Sequence, residues 1–307
     1  MIKKRIFIAG QEGMVGSAVY KLLKKKKLNV IDCKRKSLDL LSQHAVDSWI
    51  KKNNIEIIIN CAGRVGGILE NSLKKEKFLN DNLLIGLNLI NSSLKYKIKQ
   101  FINLGSACIY PKITPQPIEE NFILQSKLES TNEGYAIAKI ATLKYCEYLY
   151  VYRNLNYVSL QPTNLYGFND NYDLKSSHVI PALIRKFYEA KINNQKTVEV
   201  WGQKNTSRDF LFSQDLADLI FFLLDKKIEY PYINVGSGRE VSIIELVKMI
   251  IKIVDYKGNY YFNSDMPSGQ KRRVLSTKKL LSIGWKPKYS LEKGLLEYFK
   301  WFKKIIN

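Results

Sequence analysis

Gly10-Gln11-Glu12-Gly13-Met14-Val15-Gly16 stands directly after the apolar run Ile6-Phe7-Ile8-Ala9 and directly before a helical pattern. That placement decides the fold. Glycines between a strand and a helix let the backbone turn tightly, approach a pyrophosphate and pack the helix close to a sheet. The helix N-terminus then directs free N–H groups and the positive end of its dipole at the phosphates. The helix is read from Val15, Ala18, Val19, Leu22 and Leu23, which share one face at a 3.6-residue period. A chance glycine turn has no reason to fall at such a junction.

Outward from this turn, short β-rich apolar runs alternate with longer helical patterns, which implies βαβ units and a parallel sheet. Strands are expected at residues 5–9, 28–33, 56–61, 101–105 and 157–161, with long helices at 79–94 and 135–150. Beyond Gly167 the alternation fades. Residues 168–207 are polar and irregular around a helix at 179–191, and 208–235 read as a strand-helix-strand return to the sheet. Two more helices are expected near 242–254 and 291–305, the latter with Leu291, Leu295, Tyr298, Phe299 and Phe302 on one stripe. The expected architecture is α/β: a dinucleotide-binding domain over 1–167, rejoined by 208–235. A smaller domain over 168–207 and 236–307 closes a cleft.

Composition narrows the class. The 307 residues suffice for one large domain or two closely joined ones. No apolar run approaches the roughly 18 residues of a membrane span. The basic start, Met1-Ile2-Lys3-Lys4-Arg5, precedes an apolar stretch too short for a secretory signal. Cys33, Cys61, Cys108 and Cys146 are scattered with no CxxC pair, so free thiols, a cytoplasmic setting and no metal site are expected. A net charge of +21 raises a nucleic-acid or anionic-membrane partner. The lysines are spread along the whole chain, however, and no compact basic motif carries interleaved aromatics. Neither partner is expected; the positive field suits an anionic nucleotide substrate instead.

Tyr135-Ala136-Ile137-Ala138-Lys139 places a phenol and an ammonium at i and i+4 on one helix face. A free phenol has a pKa of about 10, too high for efficient proton exchange near neutrality. A neighbouring Lys⁺ is expected to lower it and make Tyr135 a usable acid-base. Ser106, just past a strand ending at Gly105, is placed to hydrogen-bond a substrate carbonyl. A YxxxK pattern is common by chance in a lysine-rich chain, but not together with the phosphate turn and a strand-end serine. Those three residues make a nicotinamide-dependent oxidoreductase the leading expectation. They also argue against a non-catalytic nucleotide or nucleic-acid binder on the same scaffold, which needs no proton donor. Cys108 lies two positions beyond Ser106 and reads as a small buried side chain or a reactive one. His178, one of two histidines, reads as a capping residue or an acid-base.

The end of strand two chooses between NAD and NADP. An acidic residue about 20 positions past the turn binds the ribose 2′-hydroxyl of NAD. Asp32 is near that distance but is expected within the strand. The chain leaves through Lys34-Arg35-Lys36, cations suited to a 2′-phosphate, so NADP(H) is the expected cofactor.

Several stretches together resemble the GDP-L-fucose synthase family of extended short-chain dehydrogenases/reductases, which use the GxxGxxG spacing. They are Gly13-Met14-Val15-Gly16-Ser17, Val65-Gly66-Gly67-Ile68, Gly105-Ser106-Ala107-Cys108-Ile109-Tyr110-Pro111-Lys112 and the segment 131–140 around Tyr135. Pro162-Thr163-Asn164-Leu165-Tyr166-Gly167, the run 177–185 from Ser177-His178, and Val200-Trp201-Gly202 continue the match. The resemblance implies a Rossmann-type doubly wound sheet and a homodimer formed through helices at about 77–95 and 135–150. It also implies a GDP-4-keto-6-deoxy sugar as substrate, epimerised at C3 and C5 and reduced at C4. Cys108 would remove each proton, His178 would return one to the opposite face, and Tyr135 would protonate the C4 oxygen. The implied cofactor contacts are Gly10, Gln11, Gly13, Met14, Val15, Gly16, Arg35, Asp39, Leu40, Tyr135, Lys139, Pro162, Asn164, Leu165 and His178. The implied substrate contacts are Asn164, Lys186, Trp201, Arg208 and Arg273.

Some positions depart from the family pattern. Glu12 replaces an Arg of the phosphate turn, which weakens NADP selectivity and leaves more to Arg35. Ala107 and Gly134 replace Ser and Pro beside catalytic positions, Gly63 and Arg64 replace Ala and Lys near the sugar, and Ser268 and Ser276 replace Asp near Arg273. Such clustering allows an alternative: a C4-reductase, or an altered epimerase/reductase, for a GDP-4-keto-6-deoxy-heptose in capsule or surface-polysaccharide synthesis.

Overall fold

A computed structural model describes residues 3–174, 176–266 and 270–306; Ser268 lies outside these. The central strands are apolar on both faces because helices cover both. In β1 (Ile6–Ala9), Ile6 and Ile8 enter one core while Phe7 and Ala9 enter the opposite one. β3 (Ile57–Asn60), β4 (Gln100–Leu104) and β5 (Asn156–Pro162) divide alike. Ile57, Ile59, Ile102, Leu104, Val158 and Leu160 face the first core; Ile58, Phe101 and Tyr157 face the second. With β2 (Val30–Ile31) and β9 (Tyr232–Val235) they form an all-parallel six-stranded sheet in the order β2-β1-β3-β4-β5-β9. This period-2 burial of both faces is what a parallel sheet requires.

Helices α1 (Met14–Lys25) and α7 (Ser213–Leu223) cover the first face. Helices α2 (Gln43–Asn53), α4 (Lys75–Lys95) and α5 (Glu133–Arg153) cover the other, making a doubly wound Rossmann-type sheet. The strand order turns about β1, with β2 on one side and β3 on the other. A crevice therefore opens beyond the carboxyl ends of β1 and β3, the place where such sheets bind ligands.

A third core lies beyond this sheet. It packs α6 (Val179–Ile192), α8 (Ile243–Val254) and α10 (Leu291–Ile306) through Ile184, Phe187, Val247, Ile250, Leu295 and Phe302. Its strands are β6 (Asn164–Tyr166), β8 (Ser207–Phe212), β10 (Glu240–Ser242) and β12 (Arg272–Arg273), all paired to β8. β7 (Thr197–Trp201) pairs with β11 (Asn259–Asn263). Two short helices, α3 (Ile68–Leu73) and α9 (Lys278–Ser282), complete the elements.

Two expectations need correction. Of the strand-helix-strand return at 208–235, only α7 and β9 join the six-stranded sheet. β8 stays outside because its side chains serve two cores: Leu211 reaches the first, while Phe210 and Phe212 fill the third. Strand two is also shorter than expected, so Asp32 lies just past it rather than within it.

Candidate active site

The phosphate turn is built by close backbone approach. Gly10 has φ +76°, and a Cβ there would lie 2.8 Å from Ala62 Cα. A Cβ on Gly16 would lie 2.0 Å from the Gly10 carbonyl oxygen, so only glycine lets α1 begin where it does. Gly13 caps α1 with no side-chain acceptor, and its N–H donates to the Gly10 carbonyl at 3.1 Å. The first-turn N–H groups of Met14, Val15 and Gly16 lack intrahelical partners by the geometry of a helix start. They form an anion seat at the mouth of the crevice.

Opposite the turn, the Cys33 N–H donates to Gln11 Oε1 at 3.0 Å and the Arg35 N–H donates to Glu12 Oε2 at 2.7 Å. Asp32 faces away: it accepts the Tyr20 hydroxyl at 2.9 Å and pairs with Lys24 at 3.1 Å. Arg35 is exposed at the start of a 3-10 turn, Arg35–Ser37. Asp39 accepts the Leu41 N–H at 2.9 Å, and the Leu40 carbonyl accepts from Asn88 at 2.9 Å.

The chemistry gathers at the end of β4. The Ser106 N–H donates to Gln161 Oε1 at 2.9 Å, and a Cβ on Gly105 would overlap that oxygen at 1.8 Å. Ser106 Oγ accepts the Cys108 N–H at 3.1 Å, which starts the 3-10 turn Ala107–Ile109 and fixes Cys108 beside it. Tyr135, in the first turn of α5, lies close enough to Ser106 and Cys108 for both to act on its phenol. Burial raises the phenol above its ordinary pKa, Cys108 adds to this, and Ser106 opposes it.

Lys139 departs from the expectation that it lowers the Tyr135 pKa. Its ammonium donates to the Leu104 carbonyl at 2.8 Å and sits 5.7 Å from the Tyr135 ring centroid. Burial pulls Lys139 down to about 8, with Cys61 opposing. Tyr135 is thus held neutral, the form a proton donor needs, and Lys139 changes charge near working pH. Because the Lys139 pKa is lowered, its charge is present below about pH 8 and lost above it. The kcat/KM for reduction is therefore expected to fall on the alkaline side near that value. In Lys139→Met this limb should vanish with a loss of about 100-fold; an unchanged limb would show that another group titrates.

The loop 63–67 joins this centre to His178. A Cβ on Gly63 would lie 3.6 Å from Lys139 Nζ, and the Gly67 N–H donates to the Ser176 carbonyl at 3.0 Å. Asn82, buried on α4, accepts the Arg64 N–H at 3.0 Å and donates to the Arg64 carbonyl at 3.1 Å. Arg64 itself pairs with Asp81 at 2.7 Å. His178 caps α6 without a side-chain hydrogen bond to it. The residue is exposed as a whole, while the protein packed about its imidazole lowers its pKa.

Two arginines face the same centre from the second sheet. Arg208 on β8 and Arg273 on β12 are register partners. Arg273 is buried and donates to the Ala107 carbonyl at 3.4 Å and to Gln270 at 2.8 Å. Burial brings Arg208 down to about 10, the Arg273 charge adds to this, and Cys108 opposes it. Two guanidinium groups side by side suit a polyphosphate. Lys186 lies 4.4 Å from the Trp201 ring centroid and donates to the Glu199 carbonyl at 3.1 Å. Trp201 remains 43% exposed, which leaves ring surface for a stacked base. Asn164 donates to the Asp209 carbonyl at 3.0 Å; Pro162 is buried and Leu165 half-buried beside it. Gln161 and Asn82 were not singled out in the sequence, since a buried amide is read only from its partners. Among the described residues no group of His, Cys, Asp and Glu could hold a metal ion, and no helix is long and apolar enough to cross a membrane.

Residues 6–236, which hold this turn, serine and tyrosine–lysine pair, match the NAD dependent epimerase/dehydratase family. A GDP-L-fucose synthase of Sinorhizobium fredii is 44% identical over 299 residues, spanning 97% of this chain and 95% of that one. The chain belongs to this family, in its GDP-L-fucose synthase group. The fold agrees with the family assignment. A GDP-6-OMe-4-keto-L-xylo-heptose reductase from C. jejuni superposes with a TM-score of 0.92 at 30% identity, covering 99% of each chain. A GDP-mannoheptose C4 reductase from Campylobacter jejuni with NADP bound gives 0.90 at 31% identity, also over 99% of each.

Proposed function

We propose that the protein is an NADPH-dependent epimerase/reductase for a GDP-4-keto-6-deoxy sugar, epimerising C3 and C5 and then reducing C4. The observation that carries this is the convergence of Ser106, Cys108 and Tyr135 at one strand end, within reach of the Arg208–Arg273 pair. A plain reductase needs the serine and the tyrosine but not the cysteine. The tight approaches at Gly10 and Gly16 and the uncapped start of α1 fit the pyrophosphate of a dinucleotide. Gln11, Arg35, Asp39 and Leu40 would hold its adenosine end, and Tyr135, Lys139, Pro162, Leu165 and His178 the other. NADPH, when bound, supplies the hydride that reduces C4.

The chain's own residues do the rest. Ser106 and Tyr135 hydrogen-bond the C4 carbonyl oxygen, which acidifies the protons on both neighbouring carbons by stabilising an enolate. Cys108, as thiolate, takes a proton from carbon, and the bonding pair moves into the enolate. Protonated His178 gives a proton to the opposite face, and both groups reset by exchange with solvent before the second carbon. In the reductive step the Tyr135 phenol gives its proton to the C4 oxygen; Ser106 then stabilises the phenolate, while Lys139, held on the Leu104 carbonyl, sets the charge beside the ring. Arg208 and Arg273 take the diphosphate, Lys186 and Trp201 the nucleoside, and Asn164 the sugar.

A second reading is a C4-reductase on a GDP-4-keto-6-deoxy-heptose made for a surface polysaccharide. The lack of a Cβ at Gly63 and the tethering of Arg64 to Asp81 favour it, since both alter the loop next to Lys139. The likeness to heptose reductases supports it further. Turnover of each GDP-4-keto sugar with NADPH in heavy water separates the two. Deuterium at C3 and C5 of the product is expected; reduction without it would leave a reductase alone. The protein is further proposed to act in the cytoplasm as a homodimer through α4 and α5, a pairing that would cover the exposed Ile137, Tyr148 and Tyr152 side chains of α5.

A further inference from the structure

Gln11 and Glu12 both reach across the crevice to the segment leaving β2, each accepting one backbone N–H from it. In a doubly wound nucleotide-binding sheet this segment is where the adenosine ribose is read. An acidic side chain there accepts the 2′-hydroxyl of NADH, and an arginine accommodates the 2′-phosphate of NADPH. Of the acidic residues of the segment itself, Asp32 is engaged with Tyr20 and Lys24 on α1, and Asp39, farther along, accepts the Leu41 N–H. Glu12, bonded to the Arg35 N–H where the segment leaves β2, is the carboxylate of the phosphate turn that faces this place. It lies close enough to Cys33 to help burial raise that thiol to about 11. The Arg35 side chain extends from the same spot into solvent, with no ion pair to another described residue.

We infer that Glu12 is a specificity-determining residue for the dinucleotide. Its carboxylate accepts the ribose 2′-hydroxyl of NADH and opposes the 2′-phosphate of NADPH, while Arg35 favours the phosphate, so the site takes both. This rests on the nicotinamide-dependent reading above and on nothing about the sugar. The charge of Glu12 sets the balance, not its hydrogen bond to Arg35. A phosphate monoester carries close to two negative charges near neutrality. A carboxylate beside it in a half-solvated crevice is worth about tenfold in affinity.

Glu12→Gln isolates the charge, because the amide oxygen can still accept the Arg35 N–H and hold the segment. The full chain is titrated with NADPH and with NADH, without sugar, by calorimetry or nicotinamide fluorescence. Wild type is expected to bind both. Glu12→Gln should raise the ratio of Kd for NADH to Kd for NADPH by about tenfold, and Arg35→Ala should lower it. A ratio that moves less than about threefold in Glu12→Gln overturns the inference, whatever sugar proves to be the substrate. Binding of neither dinucleotide overturns the nicotinamide reading and this inference together.

Discussion

Tyr135→Phe is expected to lower C4 reduction by about 10³-fold while leaving the dinucleotide Kd within about twofold. The substitution removes one oxygen and keeps the ring, so the first turn of α5 and the Lys139 contact with the Leu104 carbonyl stay in place. What disappears is the proton for the C4 oxygen. Burial and Cys108 both hold the phenol protonated, so nearly every enzyme molecule carries that proton at neutral pH. Ser106 can still polarise the carbonyl, but its hydroxyl is a far weaker acid. Single-turnover oxidation of bound NADPH, followed by absorbance, measures the step directly. A loss under about tenfold would mean that another group delivers the proton.

Cys108→Ser should suppress deuterium incorporation at C3 and C5 by at least about 100-fold and spare reduction much more. A serine hydroxyl ionises far less readily than a thiol and is a poor base at neutrality. The architecture survives the change, because Ser106 Oγ is bonded to the Cys108 backbone N–H and not to its side chain. Exchange is read by mass spectrometry of the recovered keto sugar without NADPH, and reduction with a substrate already epimerised. Equal loss of both activities would sink the division of labour between Cys108 and Tyr135.

The sheet was legible because its strands obey a simple rule. Runs such as Ile57-Ile58-Ile59 are apolar at every position, which only a strand covered on both faces can use. α2 is not legible in the sequence for the opposite reason: of its eleven residues only Val46 and Ile50 are buried, too sparse a stripe to signal a helix. The sequence of β8 marks a strand but not its neighbours. Period-2 alternation says which side chains share a face and nothing about which sheet lies alongside. In the site, Ser106, Cys108, Tyr135 and Lys139 stand out by type and spacing. The direction of the Lys139 ammonium does not, because it follows from a carbonyl on β4 that lies 35 residues away in the chain. The amides of Gln161 and Asn82, which hold the Ser106 N–H and the Arg64 backbone, are hidden for the same reason.

The loop 63–67 is one short span with Lys139 at one end and, at the other, the backbone just before His178. The loop thus runs between Lys139 on α5 and the backbone that precedes His178 at the start of α6. On the proposed function, this short span would let an enolisable keto sugar pass from proton exchange to reduction within one residence on the protein.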